Sequence, residues 1–426
     1  RILICTHSNS AADLYILKHF DEYSKMKQKA GESVPILRVY ALERRLNTVP
    51  PQIQSYCLIS QDKSCFVAPT AQDIKNHRVI ITTLHTSLVL SQLGLRGQFT
   101  HIFLDEAGQA LETELIMPVT LASEETCVVL AGDHMQMSPH VYSREARRQG
   151  FHRSLLERLY RHYENYSRQL DITSPLNILL SINYRSKMEI LRFISAVFYG
   201  SPDALKSCNS IPDTKFVPLM FYAAQGREVQ DSDSTTYYNM AEIEEIVDRV
   251  EEVYDNWPAE WGTRKANSIG IVAPYTDQVI KIRFSLRRRR RELRAVTVER
   301  VTNVQGKEFQ VLFISTVRTR HIADTAPKRV LNSPDCDGEV GDFGFLSDPK
   351  LLNTAFTRAQ CLVAVVGDPV ALCCIGECMS IWRTFLKHCQ NLKSINPSNI
   401  TLDSIKSQVV SLMNSPEGEN LRQLAL

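Results

Sequence analysis

Short apolar runs recur along the chain, each followed by a polar or glycine-bearing break and then a stretch of helical period, which is the pattern of parallel strands joined by crossover helices. Ile2–Thr6, Val79–Thr83, His101–Leu104, Val128–Ala131, Ile178–Ser181, Ser268–Val272, Val311–Thr316 and Leu362–Val366 are the predicted strands. Several end where a polar loop begins, at Ser8-Asn9, Asp105-Glu106, Gly132-Asp133 and Gly367-Asp368. Open parallel sheets bind ligands at such carboxyl ends, so the chemistry is expected there.

The strands before about residue 140 and those after about residue 175 form two groups, which predicts two α/β domains in tandem. The first spans 1–142 and carries a polar stretch at about 20–75, with Pro35, Pro50 and Pro51, read as a small inserted subdomain or surface excursion. A helical, arginine-rich connection follows at 143–173, then a second domain at 174–390. Residues 391–426 read as a terminal helix and tail, the helix starting at Asn396-Pro397-Ser398. His321 to Gly344, rich in Asp, Pro and Gly, reads as a mobile loop, and there is no repeat of fixed period.

Composition adds bounds. With 44% hydrophobic and 23% charged residues in 426, the chain is globular rather than disordered or collagenous and long enough for more than one core. The 49 Lys+Arg against 47 Asp+Glu leave +2, so any nucleic-acid affinity must come from local patches. Eleven cysteines, an odd number scattered partly inside apolar runs, fit reduced thiols of cytoplasm or nucleus better than a disulfide framework. The most apolar stretch, Cys361 to Met379, is broken by Gly367-Asp368-Pro369 and Glu377, so no membrane partner is expected. The chain opens on Arg1 directly before an apolar strand and reads as cut at its start.

His101-Ile102-Phe103-Leu104-Asp105-Glu106 is a buried strand delivering two adjacent carboxylates to a loop mouth. Such a pair suits a nucleotide hydrolase, one carboxylate holding Mg²⁺ and the other orienting water; an acidic helix N-terminus is the plain alternative. The next strand leads into Gly132-Asp133-His134-Met135-Gln136, where Gln136 is placed to sense a terminal phosphate, or where the segment is an ordinary turn. Positive charge follows at Asn183-Tyr184-Arg185 and at Thr357-Arg358. Either arginine alone is more often a surface ion-pair partner, but a guanidinium fork suits the charge of phosphoryl transfer. Together these residues describe a nucleotide site at a cleft between two domains.

In order, Thr6-His7-Ser8-Asn9-Ser10-Ala11-Ala12-Asp13, Asp105-Glu106-Ala107-Gly108, Gly132–Pro139, Asn183–Ser186, Val301–Phe309 and Leu352–Ala359 resemble motifs Ia, II, III, IV, V and VI of the superfamily-1 helicases of the Upf type, most closely the helicase-with-zinc-finger family. The resemblance covers the chain from Cys5 to about Met379. It implies two tandem RecA-like α/β domains with parallel sheets, the first truncated at its N-terminus, and an ATP-dependent RNA helicase core. Asp105 would ligate Mg²⁺, Glu106 activate water, Gln136 contact the γ-phosphate, and Arg185 and Arg358 form the arginine clamp. Tyr184 would stack on the base, with Gly306 and Glu308 at the ribose. Ser8, Asn9, Thr82, Thr83, Pro274, Tyr275, Thr302 and Arg318 would track single-stranded RNA, with DNA left open, through backbone and 2′-OH contacts. Protein partners would bind through regions outside these residues.

Two departures stand out. Gly108 replaces the family's usual Ala or Cys and is expected only to loosen the following turn. No Gly-x-x-x-x-Gly-Lys-Ser/Thr occurs, Gly306-Lys307 being followed by Glu308, which is read as a larger helicase cut downstream of its phosphate loop. Arg283, Arg287 through Arg291 and Arg294 read as a solvated helix end, with a phosphate stripe or import patch as alternatives. Cys373, Cys374, Cys378, His388 and Cys389 match no common zinc spacing and read as one face of a core helix. A non-catalytic RNA-binding or coregulator scaffold and a DNA helicase are the alternative functions.

Overall fold

Strands β1 (Ile2–Thr6), β2 (Ile36–Arg38), β3 (Val79–Thr83), β4 (His101–Asp105) and β5 (Cys127–Leu130) form one sheet in a computed structural model that describes residues 1–32, 34–170, 176–322, 343–416 and 418. Their order is β2-β3-β1-β4-β5, every pairing is parallel, and they belong to the first of two units, Arg1–Leu179 and Leu180–Leu426. Along β1, Leu3 and Cys5 join one core with Ile80, Ile102 and Leu104, while Ile4 joins another with Val79 and Ile81. Successive side chains point to opposite faces, and helices cover both, so β3 is buried at every position and β1 at all but its first.

The second unit contains two short ribbons, β6 (Ile182–Asn183) with β7 (Lys206–Ser207) and β9 (Glu228–Val229) with β10 (Tyr238–Asn239). Its main sheet consists of β8 (Leu219–Ala223), β11 (Ile269–Ala273), β12 (Thr297–Arg300), β13 (Phe309–Ser315), β14 (Ala359–Gly367) and β15 (Ile395–Asn396). They run in the order β12-β11-β13-β14-β8-β15, all parallel. The helices Met240–Asp255 and Thr276–Arg289 bury Ile243, Ile246, Val250, Val279, Ile282 and Leu286 against Ile271, Val311 and Phe313. The two parallel sheets with crossover helices are the tandem RecA-like α/β class.

Several elements differ from the expectations. Ile178–Ser181 is not a strand: Ile178 and Leu180 are exposed, and the short pairing begins one residue later at Ile182. Three apolar residues and a serine are too few to reveal whether a sheet covers them. Residues 20–75 supply β2, the edge of the first sheet, rather than only a separate excursion. That strand has three residues and ends in a buried arginine, so it carries no apolar period. β8, β12 and β15 were also unanticipated, and β15 carries the second sheet past residue 390. The terminal helix is Leu402–Met413, capped by Thr401, whose hydroxyl accepts from Ser404 N, so its start lies beyond Asn396-Pro397-Ser398. The expected mobile loop at 321–344 lies, from 323 to 342, outside the described residues, as does most of the tail. Among the described residues no helix is long and apolar enough to cross a membrane.

Candidate functional site

Parallel register aligns the carboxyl ends of the first sheet, Thr6 pairing with both Thr83 and Asp105. Asp105 Oδ1 accepts from the Glu106 backbone N–H at 2.9 Å, and Oδ2 accepts from the Tyr15 hydroxyl at 2.8 Å. Burial first, and then the neighbouring Asp105 charge, push the Tyr15 phenol above its ordinary range, so it stays a donor. Tyr15 is a residue that sequence reasoning missed: it ends a helix ninety positions upstream, with no motif marking it.

Glu106 has φ 57°, a left-handed conformation that costs a non-glycine residue of order 1–3 kcal/mol and is held by its surroundings. Ala107 N–H donates to Ala131 O at 2.9 Å, joining the loops after β4 and β5 backbone to backbone. At Gly108 a Cβ would lie 2.6 Å from Asp133 O. Glycine there serves this close approach, which corrects the expectation of a merely looser turn. Across it, Asp133 accepts from Met135 N–H at 2.9 Å and from Gln136 Nε2 at 2.6 Å, fixing the Gln136 side chain. The donor set of Asp105 and Glu106 is oxygen only, the kind that suits Mg²⁺.

The second unit gathers Arg185, Glu308 and Arg358 at the amino edge of its sheet, where Phe309 of β13 pairs with Ala359 of β14. Arg358 thus stands before its strand, as the sequence places it ahead of Leu362–Val366, and not at a carboxyl end. Gly306, at φ 70°, makes the turn that delivers Glu308, with Lys307 N–H donating to Val304 O at 3.0 Å. Arg185 donates from Nε to Glu308 Oε2 at 3.0 Å and from Nη1 to Thr357 O at 2.9 Å. Arg358 is buried, its Nε on Thr354 O at 3.0 Å and its Nη2 on Thr357 Oγ1 at 3.1 Å. Tyr184 stands 76% exposed beside them, its ring open to stacking. Two fixed guanidinium forks at one edge match anionic phosphate oxygens.

The strand-tracking candidates divide. Ser8 caps the helix Asn9–Tyr15, its hydroxyl accepting from Ala11 N–H at 3.1 Å, and Asn9 Oδ1 accepts from Arg38 Nη2 at 2.8 Å. Arg38 is itself buried and also donates to Asp13 Oδ1 at 2.9 Å. Thr82 and Thr83 are buried, their hydroxyls donating to Val39 O and Thr86 Oγ1, which leaves neither side chain a free donor. In the second unit Thr302 is exposed. Pro274, Tyr275 and Arg318 are buried at the carboxyl ends of β11 and β13. Tyr237, unmarked in the sequence, packs between the last two: its ring lies 5.5 Å from that of Tyr275 and 3.8 Å from Arg318 Cζ. Arg318 Nε and Nη1 have no hydrogen-bond partner among the described residues.

The cysteines at 373, 374, 378 and 389 are buried in the core. Burial pushes the Cys373 thiol up to about 11 and that of Cys374 to about 12.

Residues 67–144 and 151–370 match two families each described as "AAA domain", the second over more than half of the chain. The chain is 50% identical over 416 residues to "Probable helicase with zinc finger domain" of Danio rerio, covering 97% of this chain and 22% of that protein. It is 36% identical to "3'-5' exoribonuclease HELZ2" of Mus musculus, covering 97% and 13%. It is 34% identical to "RNA helicase Mov10l1" of Homo sapiens, covering 87% and 30%. The chain spans about a fifth of the length of the zinc-finger helicases it matches.

Proposed function

Because this chain belongs to the AAA-domain, superfamily-1 helicases of the Upf type, in the group of the helicases with zinc finger domain, we propose that it is the core of an ATP-dependent RNA helicase. It would couple ATP hydrolysis to movement along single-stranded RNA. The observation that carries the reading is the meeting of Arg185, Glu308 and Thr357, from three distant motifs, beside Arg358. A scaffold without turnover has no use for two arginine forks held at one edge.

Asp105, with Glu106 next to it, would hold Mg²⁺, and the bound metal would neutralise charge on the phosphates. Glu106 would orient and deprotonate water from a left-handed backbone position directly after the strand that carries Asp105. Gln136, held by Asp133, would report the terminal phosphate. Arg185 and Arg358 would balance charge on the transferred group, with Tyr184 stacking on the base and Glu308 and Gly306 at the ribose. The RNA would pass over Ser8, Asn9 and Thr302, and over the cluster of Pro274, Tyr275 and Arg318. We place the protein in cytoplasm, nucleus or both.

The test is ATP turnover by the full-length protein with and without single-stranded RNA, beside Glu106→Gln. RNA-stimulated turnover that Glu106→Gln abolishes while nucleotide binding persists is the expected result. Turnover retained by Glu106→Gln removes that residue from the reaction, and no turnover in the parent favours the scaffold. Competition between RNA and DNA oligomers of one sequence, over a range of salt, separates an RNA from a DNA helicase.

A further inference from the structure

The arginine-rich stretch has three differently occupied sides. On the helix Thr276–Arg289 the inward side carries Val279, Ile282 and Leu286. A flanking side is neutralised: Arg289 pairs with Asp248 and with Glu251 at 2.8 Å, and Arg290 pairs with Asp255 at 2.6 Å and Glu292 at 3.2 Å. The outward side holds Ile280, Phe284, Arg287 and Arg288 at the spacing of a single helical stripe, and Arg291 follows just past the helix end, after the extended Arg290. Ile280 is 54% and Phe284 60% exposed, and the three arginines are exposed with no ion pair among the described residues. Arg288 lies over the Phe284 ring, Cζ 5.5 Å from its centroid.

We infer that this stripe docks an acidic amphipathic helix of a partner protein, with apolar residues for Ile280 and Phe284 and carboxylates for Arg287, Arg288 and Arg291. Single exposed apolar residues are ordinary on a surface, but two placed one turn apart, continued on the same face by Arg287 and Arg288 and just past the helix end by Arg291, form an ordered apolar-to-basic strip. Arg and aromatic residues are the side chains that anchor protein interfaces. Charge complementarity fixes the partner's sign, because the acidic helix Met240–Asp255 already neutralises the adjacent side and leaves this one bare.

Position argues against nucleic acid as the occupant. The helix starts directly after Tyr275 at the carboxyl end of β11, and its 14 residues carry the chain back toward the start of β12. At 1.5 Å per residue the arginines lie roughly 20 Å from Pro274 and Tyr275. The stripe also offers one aromatic ring, already covered by Arg288, where a single strand needs successive rings. The inference stands on this face alone and is independent of the proposed helicase activity.

The probe is a labelled synthetic helical peptide with two leucines one turn apart followed by three glutamates on the same face, titrated by fluorescence anisotropy against the 426-residue chain. A peptide of the same composition in scrambled order and an oligouridylate of equal charge are the controls. The expected result is binding of the patterned peptide, weakened about tenfold or more by the triple change Arg287→Glu, Arg288→Glu, Arg291→Glu and by Phe284→Ala. A peptide with lysines in place of the glutamates should then bind the triple variant, which also shows that the variant is folded. Hydrogen exchange on the unaltered chain should show peptide-dependent protection confined to 280–291. Equal binding of the scrambled peptide, protection elsewhere, or an oligouridylate that alone loses affinity in the triple variant overturns the inference.

Discussion

Arg185 reaches across the second unit to Glu308, Nε to Oε2 at 3.0 Å, while its Nη1 holds the carbonyl of Thr357 at 2.9 Å. The pair is 30% and 48% exposed, and ion pairs open to water contribute only about 0–1 kcal/mol. We therefore expect Glu308→Gln to change the unfolding free energy by less than about 1 kcal/mol. Arg185→Ala in the full-length protein should nonetheless reduce ATP turnover. Urea titration beside a turnover assay checks this, and a large stability loss in Glu308→Gln would make the pair an element of the fold instead.

The opposite balance holds at Asp13. Its Oδ1 accepts from buried Arg38 Nε at 2.9 Å and from the Tyr40 hydroxyl at 2.6 Å, and Arg38 Cζ lies 3.9 Å from the Tyr40 ring centroid. Arg38 Nη1 and Nη2 are satisfied by Val39 O and Asn9 Oδ1. Removing one partner of a buried pair strands the other charge, a loss of about 3–5 kcal/mol. Asp13→Ala should show that loss in denaturant melts, and a loss under about 1 kcal/mol would mean that water reaches Arg38.

Glu242 gives stability a pH dependence. It is fully buried and accepts from the Ser315 and Thr316 hydroxyls and from Val317 N–H at 2.9 Å. Burial pushes its carboxyl from the ordinary 4.5 up to about 8, outweighing those hydrogen bonds. Between these values the folded protein keeps a proton that the unfolded chain has lost. Its contribution to stability therefore falls as pH rises through that window. Denaturant midpoints at acid and alkaline ends of the window should drop with pH in the parent and drop less in Glu242→Gln. Parallel profiles would assign the slope to other groups.

Buried strands with a full apolar run, such as β1 and β3, were legible because both faces of a parallel sheet must be covered. β2 was not, since three residues ending in an arginine carry no period, and the partners that make Arg38 acceptable there come from Asn9 and Asp13 far upstream. In the site, Asp105 and Glu106 were readable as a carboxylate pair at a strand end. Tyr15, on Asp105, and Tyr237, on Arg318, were not. A lone tyrosine has no local signature, and only the fold brings it to its partner. At Thr82 and Thr83, which the family resemblance puts on the path of the strand, the fold adds what the sequence does not show, that both hydroxyls are consumed inside the unit.

Arg358 separates charge from geometry. Its guanidinium is buried and oriented by two groups of its own helix turn, Thr354 O and Thr357 Oγ1, which fix the plane of the fork. A lysine keeps the charge, but it is a point donor on a flexible stem and cannot reproduce that plane. If Arg358 clamps the transferred phosphoryl group, Arg358→Ala should lower ATP turnover of the full-length protein by at least ~10³-fold, with Arg358→Lys nearly as low. Nucleotide binding should change far less in both, because the clamp acts most strongly on charge that develops during transfer. Turnover within a few-fold of the parent in Arg358→Lys would leave Arg358 as a bulk positive charge, and the same result in Arg358→Ala would take it out of the reaction.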